Sequence, residues 1–210
     1  QRYLIEHSAG SGKTDTIVWT AHRLAALHDA NNKKLFDSVI IVTDRTVLDD
    51  QMSKAIVQLD HKTGQVKSIT SEAGSKSKEL TEAIAAKTPI IVVTIQTAPF
   101  ALERLRDAAE KLGGRFAVIA DEAHSSQTGN AAATLRKVLS PEEQADLDDG
   151  GEVDAETILL ADMAQRAKTP NISFLAFTAT PKPKTMELFG RLNEDDLPEP
   201  FHRYTMRQAI

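Results

Sequence analysis

The 210 residues suit one domain with a sizeable core, and a make-up of 41% hydrophobic and 26% charged residues is ordinary for a globular protein. There is no cysteine, which excludes a disulfide framework and a thiolate metal site. A formal charge of -5 excludes coating of nucleic acid by bulk positive charge, and no apolar run approaches the roughly 20 residues that span a bilayer; the cytosol is the expected location.

In chain order, apolar runs of strand length alternate with helical patterns. Tyr3 to Glu6 is the first expected strand, and a helical pattern follows from Lys13 to Asp29. Val39 to Thr43, Val66 to Ile69, Ile90 to Thr94, Phe116 to Ala120 and Phe174 to Phe177 continue the strand series. Helical patterns at Val47 to Gln58, Ser77 to Ala86, Pro99 to Lys111 and Ala131 to Leu139 lie between them. Val39-Ile40-Ile41-Val42 and Ile90-Ile91-Val92-Val93 are unbroken and β-branched, the pattern of strands buried on both faces. The expected fold is therefore α/β, a mostly parallel doubly wound sheet with helices on both faces and ligands at the C-terminal strand edge. Ser140 to Glu156 breaks the rhythm with eight acidic residues, two adjacent glycines and no Lys or Arg. It reads as a solvated acidic loop inserted in a single domain covering 1–210; a regulatory or partner-docking insert is the sharper alternative.

Between the first strand and the first helix stands Ser8-Ala9-Gly10-Ser11-Gly12-Lys13-Thr14, in the strand-to-helix context of a phosphate-binding loop. Glycines let the backbone N–H groups of Ala9 to Gly12 close around phosphate oxygens, and the helix N-terminus adds positive potential. Lys13 is suited to neutralise the β/γ-phosphates and the Thr14 hydroxyl to hold Mg²⁺. The full pattern has glycine where this chain has His7. A flexible Gly/Ser turn with a solvated lysine is the bland alternative.

Two further strand ends carry polar groups. Phe116 to Ala120 runs into Asp121-Glu122-Ala123-His124. Consecutive strand residues point to opposite faces, so the two acids can divide the work: Asp121 holding Mg²⁺, Glu122 orienting and deprotonating the attacking water. A polar strand end capping a helix is the alternative. Phe174 to Phe177 runs into Thr178-Ala179-Thr180-Pro181, which is also an ordinary strand-ending turn.

Taken in order, Gly10 to Thr14, Asp121 to His124 and Thr178 to Thr180 resemble motifs I, II and III of superfamily 2 helicases and translocases, over almost the whole chain. The resemblance implies the first RecA-like lobe of a P-loop motor that uses ATP and Mg²⁺. It also implies that His124, Gln127, Thr178 and Thr180 couple phosphate state to lobe movement. Thr43, Arg45, Thr94 and Gln96 stand where the family's DNA-backbone motifs fall; local turn chemistry is the other reading. The flanks, His7 to Thr14, Val42 to Asp49 and Asp121 to Gly129, look like the motor of the restriction (R) subunit of type I restriction enzymes, in which His7 is a family variant. That likeness implies several partners: double-stranded DNA, modification and specificity subunits, a second RecA-like lobe supplying arginines, and a separate nuclease domain. Another superfamily 2 helicase and a non-hydrolysing nucleotide switch are the alternatives, and Glu122 argues against the switch. Gln1 almost abuts the first strand and Met206 to Ile210 begins a helix-like pattern that stops, so a piece of a longer polypeptide is expected.

Overall fold

The computed structural model describes residues 1–43, 65–69, 76–94, 97–121, 163 and 171–209. The helical patterns expected at Val47 to Gln58 and Ala131 to Leu139, and the acidic stretch 140–156, lie outside these residues. The first half of the described chain runs β1 (Arg2–His7), α1 (Lys13–Ala25), β2 (Ser38–Thr43), β3 (Val66–Ile69), α2 (Lys76–Ala85), β4 (Ile90–Thr94), α3 (Ala98–Leu112) and β5 (Phe116–Ala120). It continues with β6 (Ile172–Thr178), α4 (Pro183–Phe189), β7 (Arg191–Leu192), β8 (Pro198–Glu199), β9 (His202–Tyr204) and α5 (Met206–Ala209).

Seven strands form one sheet in the order β3-β4-β2-β5-β6-β1-β9, with every pairing parallel. The two-residue period of a strand divides the core in two. Val39 and Ile41 face the side on which Ile17, Val18 and Ala21 of α1 pack. Ile40 and Val42 face the other side, against Leu80, Ala83 and Ile84 of α2 and Ala101, Leu102 and Leu105 of α3. All four β2 residues are completely buried, which is why no polar residue interrupts the run. Each such aliphatic side chain contributes on the order of 1.5–3 kcal/mol by leaving water.

Most element ends fall within a residue of the sequence pattern, and two elements differ by more. The first helix stops at Ala25 and not at Asp29. There the Asp29 carboxylate accepts from the N–H groups of Asn31 and Lys33, both at 2.9 Å, and this local turn competes with a fourth helical turn. The strand expected at Phe174 to Phe177 is longer, because Ile172 pairs with Phe116 at one end and Thr178 with Glu6 at the other.

Below the sheet, at the N-terminal strand ends, Asp37 fastens three connections. Its carboxylate accepts from Arg115 N at 3.0 Å and from Lys87 Nζ at 2.9 Å, while its own N–H donates to Arg115 O at 2.7 Å. Burial opposes ionisation of Asp37, but the Arg115 N–H and Lys87 outweigh it and lower the pKa below the usual carboxylate value. Among the described residues, no helix is long and apolar enough to cross a membrane.

Candidate functional site

The sheet order brings the three strand ends singled out in the sequence side by side, since β6 lies directly between β1 and β5. Glu6 is level with Thr178, and Ala120 with Ala176. All strands point the same way, so the connections after β1, β5 and β6 leave from one edge.

After β1 the chain makes a bent loop. Ser11 N donates to Ser8 O at 3.2 Å, and the helix begins with Thr16 N donating to Gly12 O at 3.0 Å. Gly10 and Gly12 have φ of 75° and 82°, a left-handed conformation that costs an L side chain about 1–2 kcal/mol. Gly12 occupies the N-cap position of α1 and makes no side-chain cap. No N-cap side chain covers the first turn of the helix, as an anion-binding end requires.

His7 occupies the position of the pattern's first glycine as the last residue of β1, paired with Tyr204. The strand continues through it in ordinary extended geometry, so no glycine is needed. The imidazole is 3% exposed. Its Nδ1 is 2.5 Å from Ser11 Oγ and its Nε2 is 3.0 Å from Thr16 Oγ1. Ser11 donates its single hydroxyl proton to Ser8 O. Thr16 likewise donates its hydroxyl proton to Gly12 O, so the single proton of a neutral ring serves one of the two hydroxyls at a time, according to the tautomer. Burial lowers the His7 pKa, a hydrogen bond with the Ser8 backbone works the other way, and the charges of Lys13 and His202 reinforce the lowering. A neutral imidazole thereby braces the loop to α1, and the Tyr204 ring lies against it at a centroid distance of 4.9 Å.

Lys13 reaches across to β5, where its ammonium is 3.4 Å from Asp121 Oδ1; the two side chains are 18% and 8% exposed. Asp121 is held in line by its N–H donating to Val42 O at 2.9 Å. The site thus offers a loop of backbone amides, a cation and a carboxylate at one edge, with the Thr14 hydroxyl in the first turn of the helix. Those are oxygen donors of the kind Mg²⁺ takes, one carboxylate and a hydroxyl beside phosphate oxygens, so the residues present fit the ion.

Thr178 is buried at the tip of β6, and Thr180, two residues on, is exposed. Thr43 and Thr94 end β2 and β4, but both are buried. The Thr94 hydroxyl pairs with Thr97 Oγ1 at 3.1 Å at the start of α3, the local turn chemistry allowed as the other reading. Glu122, His124, Gln127, Arg45 and Gln96 lie outside the described residues. Sequence reasoning noted His7 as a departure from the general pattern and as a family variant, without a structural role, and Thr16 and the β9 edge strand not at all. A histidine in place of a loop glycine was the one available signal.

A parallel sheet with a phosphate loop after β1, and an acid at the tip of the strand next but one, defines an α/β RecA-like P-loop ATPase. The SWI2/SNF2 ATPase family model matches residues 1–145, and the chain belongs to that family. It is also similar to a protein of Methanocaldococcus jannaschii described as a putative type I restriction enzyme MjaIXP endonuclease subunit, with 28% identity over 189 residues. That match takes in 85% of this chain and 13% of the relative. Both findings agree with the resemblance to superfamily 2 motors and type I restriction subunits carried by the three motifs.

Proposed function

We propose that this chain is the ATP-hydrolysing first lobe of a type I restriction R subunit, driving translocation of double-stranded DNA before cleavage by a separate nuclease domain. The observation that carries the reading is the approach of Lys13, just after β1, to Asp121 at the tip of β5, with the tip of β6 between the two strands. The M. jannaschii relative supports the restriction assignment. Lys13 and the loop amides bind and orient the triphosphate, while Thr14 and Asp121 hold Mg²⁺. When bound, the ion neutralises charge building on the phosphoryl oxygens. Glu122 takes the proton of a water attacking the γ-phosphorus in line, and the bond to the β-phosphate oxygen breaks to give ADP and phosphate.

His124, Gln127, Thr178 and Thr180 are assigned to relaying the loss of the γ-phosphate to DNA contact. Thr43 and Thr94 are buried and so are withdrawn from contact with a DNA backbone; that role is assigned to Arg45 and Gln96. The partners are the modification and specificity subunits and a second RecA-like lobe, and residues 1–210 act as one domain with the acidic stretch as its insert. Arginines supplied by that second lobe, as the resemblance implies, are worth about 10³–10⁵ in turnover, so hydrolysis without it is very slow.

The test is ATP binding, ATPase and triplex-displacement assays, the last following movement along duplex DNA, on the restriction complex. Glu122→Gln keeps ATP binding and stops both turnover and translocation. ATP binding without any hydrolysis in the wild-type complex would favour a nucleotide switch, and hydrolysis without duplex translocation would favour another kind of helicase.

A further inference from the structure

The two sides of the phosphate loop are unlike. On one side of β1 lie β6 and then β5, which carries Asp121 at its tip, and Lys13 leans that way. On the other side lies β9 alone. Strands are about 4.8 Å apart, so the acid stands about two spacings from β1 and the β9 backbone one spacing in the opposite direction. A triphosphate whose β/γ-oxygens meet Lys13, with its metal ion at Asp121, has its γ end towards β5. Its α-phosphate and nucleoside then leave towards β9.

The chain emerging from β9 is built onto that side of the loop. Ser8 N donates to Tyr204 O at 3.0 Å, and Met206 N donates to Ser8 Oγ at 3.1 Å. The Met206 methyl lies 3.8 Å from where a Cβ on Gly10 would sit, which puts the thioether at the rim of the loop. The segment is fixed at both ends. Arg203 Nε donates to Glu6 Oε2 at 2.7 Å, and Gln208 Oε1 accepts from Thr205 N at 2.8 Å. Met206 nevertheless stays 47% exposed. A polarizable apolar side chain is thus held by its own backbone beside the place where the nucleoside leaves the phosphates.

We propose that Tyr204 to Met206 form the wall of the nucleoside subsite, with the Met206 thioether packing on the base of a purine nucleoside triphosphate. This rests on the phosphate-loop reading above. Sulfur–aromatic contact supplies attraction without hydrogen-bond readout, so this wall serves adenine and guanine alike.

Calorimetric titration of the intact protein with Mg²⁺ and ATP, GTP or inorganic tripolyphosphate tests the assignment. Met206→Ala is expected to weaken ATP and GTP binding by about twofold to tenfold. Tripolyphosphate, which has no nucleoside, should be unaffected, and Met206→Leu should retain most of the affinity. Unchanged ATP affinity in Met206→Ala overturns the proposal. So does an equal loss for tripolyphosphate, which would mean that the residue only shapes the loop. Lys13→Ala provides the separate control: if it binds ATP and tripolyphosphate as the wild type does, the underlying phosphate-loop reading falls, and the nucleoside wall with it.

Discussion

Replacing His7 with alanine removes a buried ring that joins three parts of the site: Ser11 in the loop, Thr16 in α1 and Tyr204 on β9. The hydrogen bond of the ring N–H, about 0.5–1.5 kcal/mol, is lost together with the burial of the ring carbons. Ser11 keeps its bond to Ser8 O, and Thr16 keeps its 3.1 Å bond to Gly12 O, so no hydroxyl is stranded. A net cost of about 2 kcal/mol follows, which for a chain of this size lowers Tm by roughly 4–8 °C. Calorimetric melting at several pH values is the assay, because His7 also carries a pH signature. Its folded-state pKa lies below the 6.5 reference, so on acidification the unfolded chain takes up the proton first. Stability from this group is full above about pH 6.5 and is lost as pH falls through the lowered folded value. His7→Ala and His7→Asn should each lack that component, and His7→Asn should recover part of the Tm by keeping a polar arm towards Ser11. An alanine variant that melts like the wild type, with the same acid slope, would refute the role given to the imidazole.

Other consequences are local. Gly12→Ala places a Cβ at φ 82° and should cost about 1–2 kcal/mol; a melting curve checks the stability and a nucleotide titration should show weaker binding from the distorted loop. Asp37→Asn leaves Lys87 without its carboxylate and weakens the bond from Arg115 N, at a cost of about 1–3 kcal/mol in denaturant titration. Because the Asp37 pKa is lowered, that contribution is present above about pH 4 and lost as pH falls through the folded value; the wild type and the variant should therefore converge in strongly acidic solution. Ile40→Ala empties a fully buried position in the central strand β2 and should cost about 2–5 kcal/mol by the same titration.

The central sheet was legible because its strands have little freedom in composition. Strands buried on both faces exclude polar residues, so the β-branched runs at 39–42 and 90–93 announce themselves. The loop was legible for a related reason, since left-handed backbone at Gly10 and Gly12 demands glycine beside Lys13. β9 was not. It has three residues on the sheet edge, all at least partly exposed, and its position depends on the Arg203–Glu6 pair and on backbone bonds to Ser8. No periodicity encodes such contacts. His7 was visible as an oddity, but its partners Ser11 and Thr16 acquire meaning only once β1 and α1 are folded together. Thr43 and Thr94 show the opposite hazard: hydroxyls at strand tips look available in sequence, yet both are buried.

The most direct measurement is equilibrium titration of ATP, in the presence of Mg²⁺, into the wild-type protein and Lys13→Ala. With the ammonium and the loop amides cradling one triphosphate, the wild type binds and loss of Lys13 weakens binding at least about tenfold, on the order of 1.4 kcal/mol. Equal affinity in the two proteins would mean that the phosphates lie somewhere other than between Lys13 and Asp121.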